Sequence, residues 1–132
     1  MSYQIDYIPV GNGASCGDAI AVRYWNPEFP EEQKVFVIDG GTLESGEALV
    51  QHIKYHFGTE KVDYVFSTHL DNDHLSGLRP ILENLEVGTL YMHLPWEHAS
   101  ETSDLYKGNL TAAQLESKLQ KSLERVAELQ EL

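Results

Sequence analysis

Two imidazoles and two carboxylates fall between His69 and His74, inside the stretch Phe66-Ser67-Thr68-His69-Leu70-Asp71-Asn72-Asp73-His74-Leu75-Ser76-Gly77-Leu78. Imidazole nitrogens and carboxylate oxygens are the usual donors to zinc, manganese and iron. Alternate residues of an extended chain share a side, so His69, Asp71 and Asp73 can point one way if the stretch starts extended. His74 then projects from the start of the element that follows. One loop thereby offers donors to one divalent ion or to two neighbouring ones. Without a cation, Asp71 and Asp73 would repel each other in a partly dry cleft. A competing account makes Asp73 the N-cap of the next helix, since Asp favours caps and turns. It explains one carboxylate, not two flanked by histidines. A calcium EF-hand loop starting at Asp71 would need glycine in place of Ser76 and glutamate in place of Leu82. The helical zinc-protease pattern H-E-x-x-H is absent.

These groups need a strand to bring them in and a helix to carry the chain away. Residues 62–66 are apolar and β-prone, and 61–68 read as the central strand. Leu75, Leu78, Ile81, Leu82 and Leu85 have helical spacing, predicting a helix over 76–85 with Pro80 tolerated near its first turn. A loop between a strand end and a helix start is where open α/β sheets place their chemistry. Upstream, 3–10 and 19–25 read as strands joined by a glycine-rich hairpin turn over 11–18. A dinucleotide fingerprint there would need glycine in place of Cys16 and a helix afterwards. Residues 26–34, with two prolines and three glutamates, read as an exposed loop. Residues 35–38 form a short apolar strand ending in Asp39-Gly40-Gly41, which puts Asp39 beneath the His69–His74 loop; a plain turn aspartate is the competing reading.

Between these strands, 47–57 has an amphipathic helical pattern with Leu49, Val50, Ile53 and Phe57 inward and Gly58 as its stop. His52 and His56 lie on its other face; lacking a third ligand, they read as solvated surface. Residues 87–94 predict a further strand, whose end carries His93-Leu94-Pro95-Trp96-Glu97-His98. His93 and His98 are candidates for substrate or metal contact, against the alternative of an ordinary aromatic-rich loop. Residues 101–109 are polar and expected to be mobile. Thr111 and Gln114 form a capping box that opens a helical pattern over 111–132, with Leu115, Leu119, Leu123, Val126 and Leu129 on one face.

A chain of 132 residues suits one small domain. Its formal net charge of −12, from 21 acidic and 9 basic side chains, disfavours nonspecific attraction to nucleic acid or an anionic membrane. A nucleotide substrate is still compatible, because bound cations reverse the local field. The single cysteine, Cys16, precludes an internal disulfide and fits a reducing compartment. No run approaches a membrane span and no secretory signal opens the chain. The expectation is a cytoplasmic protein with no membrane partner.

The stretch from His69 to His74 resembles the H-x-H-x-D-H signature of the metallo-β-lactamase-fold superfamily, with Asp71 in place of the second histidine. That variant, followed by Ser76-Gly77-Leu78, looks most like the branch containing the hydrolase domains of bacterial DNA-uptake channel proteins. The blocks Ile5-Asp6-Tyr7-Ile8-Pro9-Val10-Gly11, Gly17-Asp18-Ala19-Ile20 and Phe36-Val37-Ile38-Asp39-Gly40-Gly41 follow the opening of that branch in order. The resemblance implies that His69 and Asp71 serve one ion and Asp73 and His74 another. It implies that Asp39 supports the loop rather than binding metal, and that Asp73 accepts a proton from water. Asp71 enriches the site in oxygen, so manganese joins zinc as an expected ion.

The superfamily fold is a sandwich of two sheets between helices. The family's later ligands, a third histidine, a bridging aspartate and a final histidine, have no matching strand-end positions after residue 98. The expectation is therefore an α/β chain forming the N-terminal half of an αββα sandwich, a mixed sheet flanked by helices, ending in a long C-terminal helix. Residues 1–100 would be the half-domain and 101–132 a polar linker and helix continuing in a longer protein. Such a half would leave a sheet face or helix flank bare, predicting self-association, through 111–132, or completion by a missing half. The implied function is metal-dependent hydrolysis of a phosphodiester in nucleic acid or a nucleotide. The alternative is a non-catalytic interaction or regulatory module derived from that fold.

Overall fold

The computed structural model describes residues 1–13, 16–102 and 111–122. In order they form β1 (Ser2–Tyr7), β2 (Ala19–Asn26), β3 (Phe29–Gly40), α1 (Leu43–His52), a π-helical turn (Ile53–Phe57), β4 (Lys61–Ser67), α2 (Asn72–Leu75), α3 (Leu78–Asn84) and β5 (Glu86–Met92). A 3₁₀ turn (Pro95–His98), α4 (Ala99–Thr102) and α5 (Ala112–Ser122) follow. The chain divides into two compact units, Met1–Met92 and His93–Leu132. Among the described residues no helix is long and apolar enough to cross a membrane.

The first unit is an α/β structure built on one five-stranded mixed sheet in the order β1-β2-β3-β4-β5. β1, β2 and β3 are antiparallel neighbours, while β3, β4 and β5 run parallel. Parallel neighbours need a crossover; α1 supplies the first and α2 with α3 the second. One cross-strand row, Ala21–Val37–Val65–Leu90, lies under these helices. Ala21, Val37 and Val65 are fully buried with Leu49, Ile53, Leu78 and Ile81 of the helical layer. Each of those large aliphatic side chains contributes about 1.5–3 kcal/mol by leaving water.

Asp63 locks β3 to β4 where their pairing begins. Its carboxylate accepts from the Val35 N–H at 2.9 Å and from Lys34 Nζ at 3.0 Å. Burial pushes the Asp63 carboxyl up, but the Val35 N–H and the Lys34 ammonium outweigh it and hold the group below its ordinary value. The hydrogen bond to Asp63 raises Lys34 in turn. The carboxylate's contribution is therefore present above the ordinary carboxylate pKa and is lost as pH falls through the lowered one.

Several local expectations are corrected. Residues 26–34 are not a loop: β2 turns tightly at Pro27 and Glu28 into β3, which starts at Phe29. Exposed glutamates on a two-stranded extension read as a loop because neither face is apolar. The strand feeding the His69–His74 loop is second from the edge, and β3 is central. α1 starts earlier than predicted, at Leu43, because Thr42 caps it by accepting from the Ser45 N–H. Its end widens into the π-helical turn, and Gly58 closes it at φ +66° with its N–H on the Ile53 carbonyl. The helix predicted over 76–85 is α3, which starts only at Leu78; a separate short helix, α2, precedes it, with Ser76 and Gly77 between the two.

The second unit buries Ala99 and Leu115, with α5 packed on α4 and on the 3₁₀ turn. Thr111 and Gln114 form the predicted capping box, at 3.0 and 3.3 Å. Glu101 stands in α4 rather than in a mobile segment. The rest of that segment from 103, and the helical pattern beyond 122, lie outside the described residues.

Candidate metal centre

The parallel register Ile38↔Phe66 sets the end of β3 beside the end of β4. That pairing brings Asp39 against Thr68, and backbone contact then fixes where the loop goes. Gly77 donates its N–H to the Gly41 carbonyl at 2.9 Å. A Cβ at Gly77 would lie 1.8 Å from the Gly40 carbonyl oxygen, and one at Gly46 would lie 2.1 Å from the Gly77 oxygen. Only glycines let the end of β3, the first turn of α1 and the entry to α3 touch through bare backbone. The connection from β4 through α2 to α3 is thereby held at both ends, at Thr68 and at Gly77.

Asp39 is the hub of the site. It is 1% exposed and sits in the left-handed region at φ +54°, which Asp tolerates better than bulkier residues. Its Oδ1 accepts from the Thr68 N–H at 2.8 Å. Its Oδ2 accepts from Thr68 Oγ1 at 2.5 Å and from His74 Nδ1 at 3.0 Å. Because the Thr68 hydroxyl spends its proton on Asp39, its oxygen is left to accept from His69 Nδ1, 2.9 Å away. The network thus assigns both imidazoles the same tautomer: Nδ1 carries the proton and Nε2 keeps its lone pair. Thr68 has no signal of its own in the sequence apart from preceding His69.

The two rings lie with centroids 3.6 Å apart, His74 buried and His69 exposed. Asp39, His69 and His74 each offer a donor atom, all within 4.8 Å of one another. That is slightly wider than the ~4 Å that bonds of about 2.0–2.1 Å to one zinc ion allow. Two imidazoles beside a carboxylate are a donor set that suits a divalent ion. Asp71 stands at the rim, largely exposed, with Oδ2 3.8 Å from His69 Nε2. Asp18 is a second rim carboxylate, 4.0 Å from His74 Nδ1.

Asp73 does not join the three converging residues, and neither does Asp71. The expected alternation of His69, Asp71 and Asp73 stops where the backbone turns helical: the N–H groups of His74 and Leu75 both reach the Asp71 carbonyl, at 3.0 and 2.9 Å. Asp73 therefore follows the helical repeat in the first turn of α2 and is not its N-cap. His93 and His98 belong to the second unit, where their rings stack at 5.6 Å and His98 Nδ1 approaches Glu101 at 3.7 Å. His52, read from the sequence as solvated surface, is instead half-buried, with Nε2 2.7 Å from Asp6 Oδ2 on β1.

A family model described as the metallo-beta-lactamase superfamily matches residues 28–123, from β3 through α5. No curated protein and no solved structure matches the chain.

Proposed function

The chain belongs to the metallo-beta-lactamase superfamily, and on that footing we propose a metal-dependent hydrolase acting on a phosphodiester in nucleic acid or a nucleotide. The observation that carries this reading is the shared anchoring of His69 and His74 on buried Asp39, which leaves two Nε2 atoms free to bind metal. His69 with Asp71 would hold one ion, and His74 with Asp73 a second, with zinc or manganese the fitting metals. When bound, such an ion lowers the pKa of water and stabilises negative charge developing on the substrate.

The chain's own residues divide the remaining work. Asp39 already accepts three hydrogen bonds and is sealed from solvent, so it orients the histidines rather than taking metal. Asp73 accepts the proton released from water. Asp71, largely exposed at the rim, brings oxygen where the family pattern has nitrogen. The nucleic-acid preference rests on the resemblance of the opening blocks and of His69–Leu78 to the DNA-uptake branch. A cytoplasmic setting suits the exposed, unpaired Cys16.

A second reading is a metal-binding module without catalysis, favoured by the convergence of only Asp39, His69 and His74 among the described residues. Titration of metal-stripped protein with zinc and manganese, beside an assay on bis(p-nitrophenyl) phosphate, separates the two. The hydrolase reading predicts binding and turnover, both lost in His69→Ala and His74→Ala. Binding without turnover selects the module, and no binding by the wild type removes both.

A further inference from the structure

The connection from β1 to β2 reaches the candidate centre. Its neck is closed where Ile8 donates its N–H to the Ala19 carbonyl at 2.9 Å. Beyond the neck, two contacts seat it. A Cβ on Gly41 would lie 2.7 and 3.1 Å from the methyls of Val10, so the Val10 side chain rests on the turn that ends β3. A Cβ on Gly17 would lie 1.6 Å from the Asp73 carbonyl oxygen, closer than the 1.8 Å at Gly77 or the 2.1 Å at Gly46. Hydrogen takes that place, so a Cα–H of Gly17 points at the Asp73 oxygen. Any side chain there would push the carbonyl, and α2 with it, away. The next residue, Asp18, faces the same short helix, with Oδ2 4.0 Å from His74 Nδ1.

We infer that Gly17 is a positioning residue of the metal centre, setting where α2 presents Asp73 and His74. Thr68 and Gly77 hold the two ends of the span between β4 and α3. Between them α2 has four residues, too few to hold its place by helical hydrogen bonds alone. The contact of His74 Nδ1 with Asp39 fixes a ring, not the backbone that carries it. Gly17 supplies the backbone stop. His69 precedes α2 and hangs on Thr68 instead. The two sides of the centre therefore have separate supports, Thr68 for His69 and Gly17 for Asp73 with His74. Resting on the reading above, in which Asp73 and His74 hold the second ion, a side chain at position 17 should cost that ion and spare the one on His69.

Long-range proton–nitrogen NMR of the histidine rings in the metal-stripped 132-residue chain tests it, beside zinc titration. The wild-type His74 ring should read as the tautomer protonated on Nδ1, held on Asp39. In Gly17→Ala that ring should shift to a mixture of tautomers while the backbone amide signals of β3, β4 and β5 stay in place. Bound zinc should fall from two ions to one. Cys16→Ala, at the exposed neighbouring position, should match the wild type in both measurements. Val10→Ala loosens the same connection without adding bulk, and should weaken the second zinc about tenfold with a smaller change at the His74 ring. A His74 ring that reads the same in the wild type and in folded Gly17→Ala overturns the inference. Should Gly17→Ala not fold, a Val10→Ala chain with the wild-type ring signal and zinc affinity overturns it. A wild type that takes up one ion removes the two-ion reading instead, and the His74 ring then decides the role of Gly17 by itself.

Discussion

The chain holds two histidine pairs in its first unit, and they differ in which nitrogen is spent. His52 and His56 face each other at 4.7 Å across the junction of α1 and its π-helical turn. His52 uses Nε2, its outermost atom, on Asp6 at 2.7 Å, and both partners keep some solvent exposure. His69 and His74 use Nδ1, the nitrogen nearest the backbone, and their hydrogen bonds end on Asp39, which is buried. The first arrangement ties α1 to the edge strand and leaves nothing to offer at the tip of His52. The second turns two lone pairs outward from a fixed base. A metal site depends less on having two histidines near each other than on fixing them by the inner nitrogen.

The sharpest way to break this contrast is Asp39→Ala. It strips the Thr68 N–H, the Thr68 hydroxyl and His74 of a buried acceptor, at about 3 kcal/mol. Urea denaturation should show that loss, and zinc affinity should fall by about 10–100-fold or more. Unchanged affinity would mean that the buried carboxylate does not orient the pair. Thr68→Val comes next. It removes the hydroxyl that passes the Asp39 contact to His69, and should weaken zinc binding about tenfold, while Thr68→Ser stays near wild type. Equal losses in the two variants would show that the methyl group, not the hydroxyl, matters. The smallest effect belongs to the other pair: Asp6→Asn should cost less than about 1 kcal/mol, because the amide oxygen that replaces the carboxylate can still accept from His52 Nε2. It should leave zinc affinity unaltered, and a fall there would erase the distinction between the pairs.

Where the pattern was local, the sequence was enough to read it. The end of β4, Gly58 as a helix stop and the Thr111–Gln114 box all follow from neighbouring residues. The break at Gly77 did not, because Leu75, Leu78 and Ile81 keep a helical period across it. What ends α2 is the approach of the Gly40 and Gly46 backbones, from segments more than thirty residues upstream. Extended alternation likewise suggested that Asp71 and Asp73 would converge with His69. It missed that the Asp71 carbonyl already receives the first helical hydrogen bonds. Neither Thr68 nor the Asp6–His52 contact could be read from spacing, since each depends on strand register.

Residue types alone set the donor chemistry: nitrogen and oxygen ligands in one loop, an acidic chain, one cysteine, and β and helical periods on either side of the loop. Those properties are local, so they can be read one window at a time. Which donors meet and which nitrogen stays free were decided only by tertiary structure. The parallel pairing of β3 with β4 carries Asp39 across twenty-nine positions of chain to Thr68, and no window of sequence contains both.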